Sequence, residues 1–359
     1  MSNIIAFQPA QQRSRADNLT ALMAGLAQER RRPDDVFWLK ENAELLGVFA
    51  ATGAQLRPAD LIPYTEFYAQ IEERLRFYPQ YYRFFLSICL DLEDLGFGGR
   101  KGEALCQWVA ANGLAAAELS DLQRAEACRL LARRGAADPI ADSALGDRLR
   151  GFSERAATFA LPNKKAAYEL THIVFYLSEY GQRDPGLSTA ALTSLEFAGL
   201  LAYLDQNHDL LAEVCTALHF AKAKLSPIWT DAVARAHAQI APKAGPQDTG
   251  HDAFHAYLVT GWAQAVRGDP SFEREVPWGP LHFAGPPEPA SALRPLSECL
   301  YDLGTARSGD WSGMRGHVVP YLDPACREIL KRAEASTTRF DAFFEGFARA
   351  NGKQLSEVG

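Results

Sequence analysis

The sequence lacks any apolar run near the roughly 20 residues that a membrane-spanning helix needs. It has no CxxC, no HExxH and no nucleophile elbow. The glycine-dense stretch Gly96 to Gly102 follows no strand, so it is neither a Walker loop nor a dinucleotide fingerprint, although its amides with Arg100 or Lys101 could meet an anion. Basic runs are short, as in Arg30-Arg31-Arg32 and Lys164-Lys165, and the formal charge is −7. Phosphate neutralisation needs clustered Lys and Arg, so a general nucleic-acid binder is excluded. The segment MSNIIAFQPAQQRSR carries a four-residue apolar patch without a basic flank or a long apolar stretch, unlike a secretory signal. Six cysteines, at 89, 106, 128, 215, 299 and 326, are scattered through mostly apolar helical contexts. They read as reduced, buried thiols of a cytoplasmic protein, not as a disulfide framework. No membrane partner is expected.

What is present is helix. The 359 residues are 47% hydrophobic and 23% charged, enough for one large domain or two smaller ones. Pro33 to Gly53 begins with Pro and acids and ends in Gly, the asymmetry of a helix. Asp60 to Tyr78 is amphipathic, Pro79 opens YYRFFLSICLDLEDLG, and Ser120 or Asp121 starts a helix that stops at Gly135. No run of alternating β-branched residues occurs, so the expected fold is all-α.

Between about residues 166 and 267, helices that are apolar all round alternate with more polar ones. Inner helices are read at about 166–180, 209–223 and 251–267, with outer helices at about 188–204 and 227–240. This pattern implies αα-hairpins arranged as an incomplete (α/α) toroid or a layered helical bundle. The expected organisation is a tail over 1–16, an N-terminal helical part over 17–160 and an αα-hairpin part over 161–359, the last two possible as one continuous domain. Residues 268–320 read as two long loops, around Trp278 and Trp311, that could cover a pocket. Short helices at about 323–335 and 337–351 close the chain.

Chemistry concentrates in YELTHIVFYLSEYG, a buried helix that nevertheless carries Glu169, Thr171 and His172. Glu169 and His172 are three apart and share a helix face. The same spacing recurs at Asp205/His208, Asp248/His251 and Asp252/His255. With 44 acids and eight histidines in 359 residues, about one such pair is expected by chance, and four occur. Carboxylate-x-x-His is a metal-ligand spacing in helical di-iron and di-manganese proteins, and zinc takes mixed ligands as well. Asp209 and Glu213, four apart, would complete a set of Glu169, His172, Asp209, Glu213 and His255 for zinc, iron or manganese. If the inner helices run parallel, these residues converge near one end. Without a metal, His172 would act as general base, with Glu169 and Thr171 as partners.

A structural reading stands beside this one. Asp209 and Asp252 sit where helix starts favour acids, and His172 could be a core histidine bonded to Glu169 or Thr171. His219 and His237 read as ordinary helix residues, while His282 and His317 lie in the two loops. Asp91-Leu92-Glu93-Asp94 resembles the acid-rich motif by which class II terpene cyclases protonate an alkene, but its place at a helix end favours a solvated terminus.

The elements ELTH (Glu169, Leu170, Thr171, His172), DLLAE (Asp209, Leu210, Glu213) and FH (Phe254, His255) resemble uncharacterised bacterial all-helical proteins. In these, ELTH, D-x-L-x-E and YH-T elements recur on successive helices. The resemblance covers about residues 165–265 and departs at the third element, where Phe254 and Tyr257 replace tyrosine and threonine. It implies an αα-hairpin or toroid architecture and no particular reaction. The sequence thus points to an enzyme with a metal-dependent His/carboxylate pocket for a small-molecule or peptide substrate. A non-catalytic helical binding or accessory protein is the alternative, and a terpene-cyclase-like enzyme using Asp91 and Asp94 is a weaker one.

Overall fold

The computed structural model describes residues 14–136, 142–245, 252–287 and 290–350. Helix α1 (Arg15–Ala24) is capped by Ser14 and runs straight into a π-helical turn, Gly25–Glu29. Asp35 caps α2 (Val36–Thr52), and Gly53 ends it in the left-handed conformation (φ 62°) that glycine adopts without a Cβ clash. Then follow α3 (Pro58–Leu61), α4 (Thr65–Phe77), α5 (Tyr82–Asp94), α6 (Lys101–Ala111) and α7 (Asp121–Ala132). Next come α8 (Leu145–Ser153), α9 (Ala156–Phe159), α10 (Lys164–Leu177), α11 (Thr189–Leu204), α12 (His208–Phe220) and α13 (Pro227–Gln239). The chain closes with α14 (Phe254–Ala265), α15 (Leu293–Asp302), α16 (Trp311–Tyr321), α17 (Pro324–Ser336) and α18 (Phe340–Ala348). The fold is all-α, and no helix among the described residues is long and apolar enough to cross a membrane.

Three corrections to the sequence reading follow. A two-stranded antiparallel sheet pairs β1 (Ala241–Ala244) with β2 (Leu281–Ala284), Ala241 facing Ala284. Its four-residue strands, APKA and LHFA, carry no β-branched residue, so nothing in the sequence announces them. The stretch Gly304 to Pro320 is mostly helix: Asp310 caps α16 by accepting from Ser312 N. Gly313, Gly316 and Pro320 mask a helix that is held by packing. Finally, α11 is not an exposed outer helix. It is buried along most of its length, because α9, α17 and α18 cover it.

The inner helices run parallel. Tyr168 meets Asp209, Thr171 meets Glu213 and Phe175 meets Phe220, so contacts advance together along α10 and α12. Asp209 meets His255 and Phe220 meets Trp262, which makes α12 and α14 parallel as well. The helices α11 and α13 return the chain between them, giving layered αα-hairpins.

One clamp joins the start of the chain to this layer. The Arg30 guanidinium, its side chain 5% exposed, donates to both oxygens of Asp252, both oxygens of Glu41 and the Leu281 carbonyl. Its face rests on the Phe254 and Phe283 rings, 5.2 and 5.5 Å from their centroids. The clamp ties α2 to β2 and to the first turn of α14. One hydrophobic core runs from Leu19 to Ala348 through both parts of the chain.

Removing one partner of a buried ion pair leaves the other charge uncompensated. Arg30→Met is therefore expected to lower unfolding stability by about 3–5 kcal/mol. Denaturant melts of the two proteins measure this, and a loss under about 1 kcal/mol, the size of an exposed ion pair, would show that the clamp is not what holds the seam.

Candidate functional site

The seam between α2, α5, α7, α10, α12 and α14 holds a partly open cavity of about 690 Å³. One end is built from three successive parallel helices. α12 contributes Asp209 and Glu213, one turn apart on the same face. α10 contributes Thr171 and His172, and α14 contributes His255 from its first turn. Asn207 caps α12 by accepting from Leu210 N, which starts the helix so that Asp209 and Glu213 face inward.

The bonding is specific. Glu213, 2% exposed, takes its Oε2 to within 2.6 Å of Thr171 Oγ1 and 3.6 Å of His172 Nε2. Thr171 Oγ1 also lies 2.9 Å from the Tyr168 carbonyl. A hydroxyl has one hydrogen, so it serves one acceptor at a time. With Glu213 ionised, Thr171 donates to it. With Glu213 protonated, Glu213 donates to Thr171, and Thr171 donates to the Tyr168 carbonyl. Asp209 accepts from Tyr168 OH at 2.8 Å and holds His255 Nδ1 at 2.5 Å. The other imidazole nitrogen, Nε2, faces Glu44 Oε1 at 3.8 Å.

Burial and charge set the protonation states. Burial, with the nearby Asp209 charge, pushes Glu213 up to about 7, although His255 and Thr171 pull it down. Burial alone would lower His255, but the Asp209 hydrogen bond and the Asp209 and Glu44 charges raise it to about 9. Burial holds His172 below its ordinary value, so it is neutral at pH 7. Burial likewise raises Glu44. The result is a charged His255–Asp209 pair, a neutral His172 and a Glu213 poised between its two states.

Asp209, Glu213 and His255 each present one ligand atom, all within 4.8 Å of one another. Glu169 does not join them. It is half-buried, does not line the cavity and enters no ion pair among the described residues. Ile173, one turn along the same face, packs on Leu145 and Leu149 of α8, so that face looks away from the cavity. The acid–His spacing also has no common cause. Asp252 is spent on Arg30, Asp205 bonds Ser291 and Lys164, and Asp248 and His251 lie outside the described residues. Neither Trp278 nor Trp311 lines the cavity, and neither do His282 and His317. Trp311 packs on Phe340 and Phe344 instead, and among the described residues neither loop lines this cavity.

The far end carries Arg129, Arg133 and Arg134 from the end of α7 and just beyond it. Asp91 is not a solvated helix end. It is 4% exposed, and its Oδ1 accepts from Arg133 Nη2 at 2.7 Å. Asp94 bridges Arg133 and Arg134 at 2.7 and 2.8 Å. Phe175 and Trp262, with ring centroids 4.8 Å apart, form the wall between the two ends.

A family model, Domain of unknown function (DUF6902), matches residues 1–350. The chain belongs to the DUF6902 family. No curated protein and no solved structure matches it. In this DUF6902 chain, sequence reasoning missed Glu44 and the arginines. A signal for Glu44 existed, because α2 is buried nearly all round yet carries Glu41, Asn42 and Glu44. For Arg129, Arg133 and Arg134 there was none, since terminal arginines of a helix are ordinary.

Glu213 moves from an ordinary 4.5 to about 7 on folding, so the folded state holds its proton more tightly. Its contribution is complete below pH 4.5 and is lost as pH rises through about 7. The stability of the wild type relative to Glu213→Gln should therefore fall between these pH values. Denaturant midpoints of both proteins, measured with a chelator present, test this. A difference that stays constant with pH would mean that Glu213 does not titrate there.

Proposed function

We propose that this chain is an enzyme acting on a small molecule, with its chemistry at the Glu213–His172–His255 end of the cavity. One observation carries the reading. A buried carboxyl, a hydroxyl and two imidazoles from three helices meet at the wall of a cavity of about 690 Å³. That volume lies within the roughly 300–1,000 Å³ of small-molecule sites and supports a small ligand over a peptide. Glu213 and His172 stand where they can exchange a proton with a bound molecule, and Asp209 orients His255.

The same atoms fit a divalent zinc, iron or manganese ion. Asp209, Glu213 and His255 supply two carboxylates and one imidazole, a donor set used by such ions. An ion held there would act as Lewis acid or lower the pKa of a bound water. His172 would then remain at the cavity wall as base. Cys89, Cys106, Cys215, Cys299 and Cys326 are buried thiols, which supports a cytoplasmic location.

A non-catalytic binding protein is favoured less, because this cavity is lined by ionisable groups instead of a continuous apolar surface. A terpene-cyclase-like reaction is also favoured less. A carboxyl that protonates an alkene must carry its own proton, whereas Asp91 and Asp94 both hold Arg133 at 2.7 Å.

Elemental analysis of untagged protein is the test, beside Glu213→Gln and His255→Ala. Near-stoichiometric metal in the wild type, lost in both variants, is the expected result. No metal after reconstitution with zinc, iron and manganese would remove the ion and leave an acid–base cavity. Once a substrate is in hand, Glu213→Gln should lower kcat about 10²–10⁴-fold. Unchanged turnover would end the assignment of Glu213.

A further inference from the structure

We propose that the ligand of this cavity carries a carboxylate and that Arg129 and Arg133 receive it. The inference rests on the reading of the cavity as an active site and names the chemistry of its substrate.

The argument begins with hydrogen-bond supply at the arginine end. The acids that line it are fully engaged. Asp91 gives one oxygen to Arg133 and the other to Ser87, at 2.7 and 3.2 Å. Asp94 gives one to Arg133 and one to Arg134. Glu179 faces Arg129 Nε at 2.9 Å and Arg183 at 3.5 Å. The guanidiniums are not fully engaged. Both hydrogen bonds of Arg133 leave from a single nitrogen, Nη2. Among the described residues, neither Nη of Arg129 donates a hydrogen bond, and neither is sealed from solvent. Each guanidinium has five N–H groups, so donors remain on both side chains that line the cavity.

The orientation of Arg129 is fixed. Its guanidinium lies 4.4 Å from the centroid of the Tyr180 ring, which leaves its edge for in-plane bonding. Tyr180 is held there by unusual backbone. Glu179 and Tyr180 have φ of 50° and 55°, followed by Gly181 at 89°. Two successive non-glycine residues in the left-handed region cost about 1–2 kcal/mol each. Such strain gathers where a side chain must be placed for function, and here it places both residues on Arg129.

Charge selects the anion. Three guanidiniums face four carboxylates, those of Asp91, Glu93, Asp94 and Glu179. That balance opposes a phosphate dianion more strongly than a singly charged ligand, whose binding must come from the unused guanidinium donors. A single planar carboxylate, with two acceptor oxygens, matches the guanidinium edges.

Spacing limits the length of the ligand. Glu44 faces His255, whereas a Cβ at Gly47 would lie 3.6 Å from Asp91 Oδ2. The two ends are thus about one helical turn, ~5 Å, apart along α2. Gly47 leaves the space between them open. A chain of a few carbons, lying against Phe175 and Trp262, would reach from the arginines to Glu213.

Isothermal titration of the full chain tests this with pentanoate, 5-aminopentanoate, pentylamine and inorganic phosphate. Both carboxylates should bind more tightly than pentylamine or phosphate, and Arg129→Gln should weaken them at least tenfold. Gly47→Leu, which fills the space and removes no charged group, should weaken them as well. Circular-dichroism melts establish that each variant is folded. Failure of the folded wild type to bind either carboxylate overturns the proposal. So does tighter binding of phosphate or pentylamine, or carboxylate binding unchanged in both variants. The readout is binding, not turnover, so the carboxylate proposal and the role of Glu213 stand or fall separately.

Discussion

The site exists because Arg30 is held between Asp252 and Glu41. A buried guanidinium is tolerable only when its donors are met, and here two carboxylates and a carbonyl meet them. Those partners lie on α2, at the entry to α14 and on β2. Satisfying one charge therefore fixes the angle at which α2 lies against α14. Glu44 follows Glu41 by one turn, and His255 follows Asp252 by three residues. The clamp thus sets the Glu44–His255 approach of 3.8 Å without touching either residue.

Within the seam, electrostatics divide the cavity. At one end, Asp209, Glu213 and Glu44 surround a single charged imidazole, and desolvation shares out the remaining protons. At the other end, arginines and acids are locked in pairs. Between them stands an aromatic wall with no titratable group, Phe175 and Trp262. A ligand lying across the wall would present different chemistry to each end, which gives the cavity a direction.

Much of this was legible in the sequence, for identifiable reasons. Helix boundaries followed Asp35, Gly53 and Ser188, because caps act locally. The parallel inner helices and the meeting of Asp209, Glu213, Thr171, His172 and His255 followed from polar residues on helices otherwise buried. Glu169 was misplaced because residues three apart diverge by about 60° around a helix, enough for one to face α8 and the other the cavity. The helix over Trp311–Tyr321 was hidden by its glycines and proline, which tertiary packing overrides. Arg129 and Arg133 were invisible. Their partners, Glu179 for Arg129 and Asp91 for Arg133, lie 50 and 42 residues away, a relation that no local pattern encodes.

The Arg30–Asp252 bond joins residues 222 positions apart. Synthesis at about 5–20 residues per second separates their appearance by some tens of seconds. During that interval α2 can pack on α5, but its Glu41 and Glu44 have no α14 to meet. The seam therefore cannot close until α14 has appeared. A nascent or truncated chain that stops short of Asp252 exposes the apolar flank of α2, and with it the surface through which such chains aggregate.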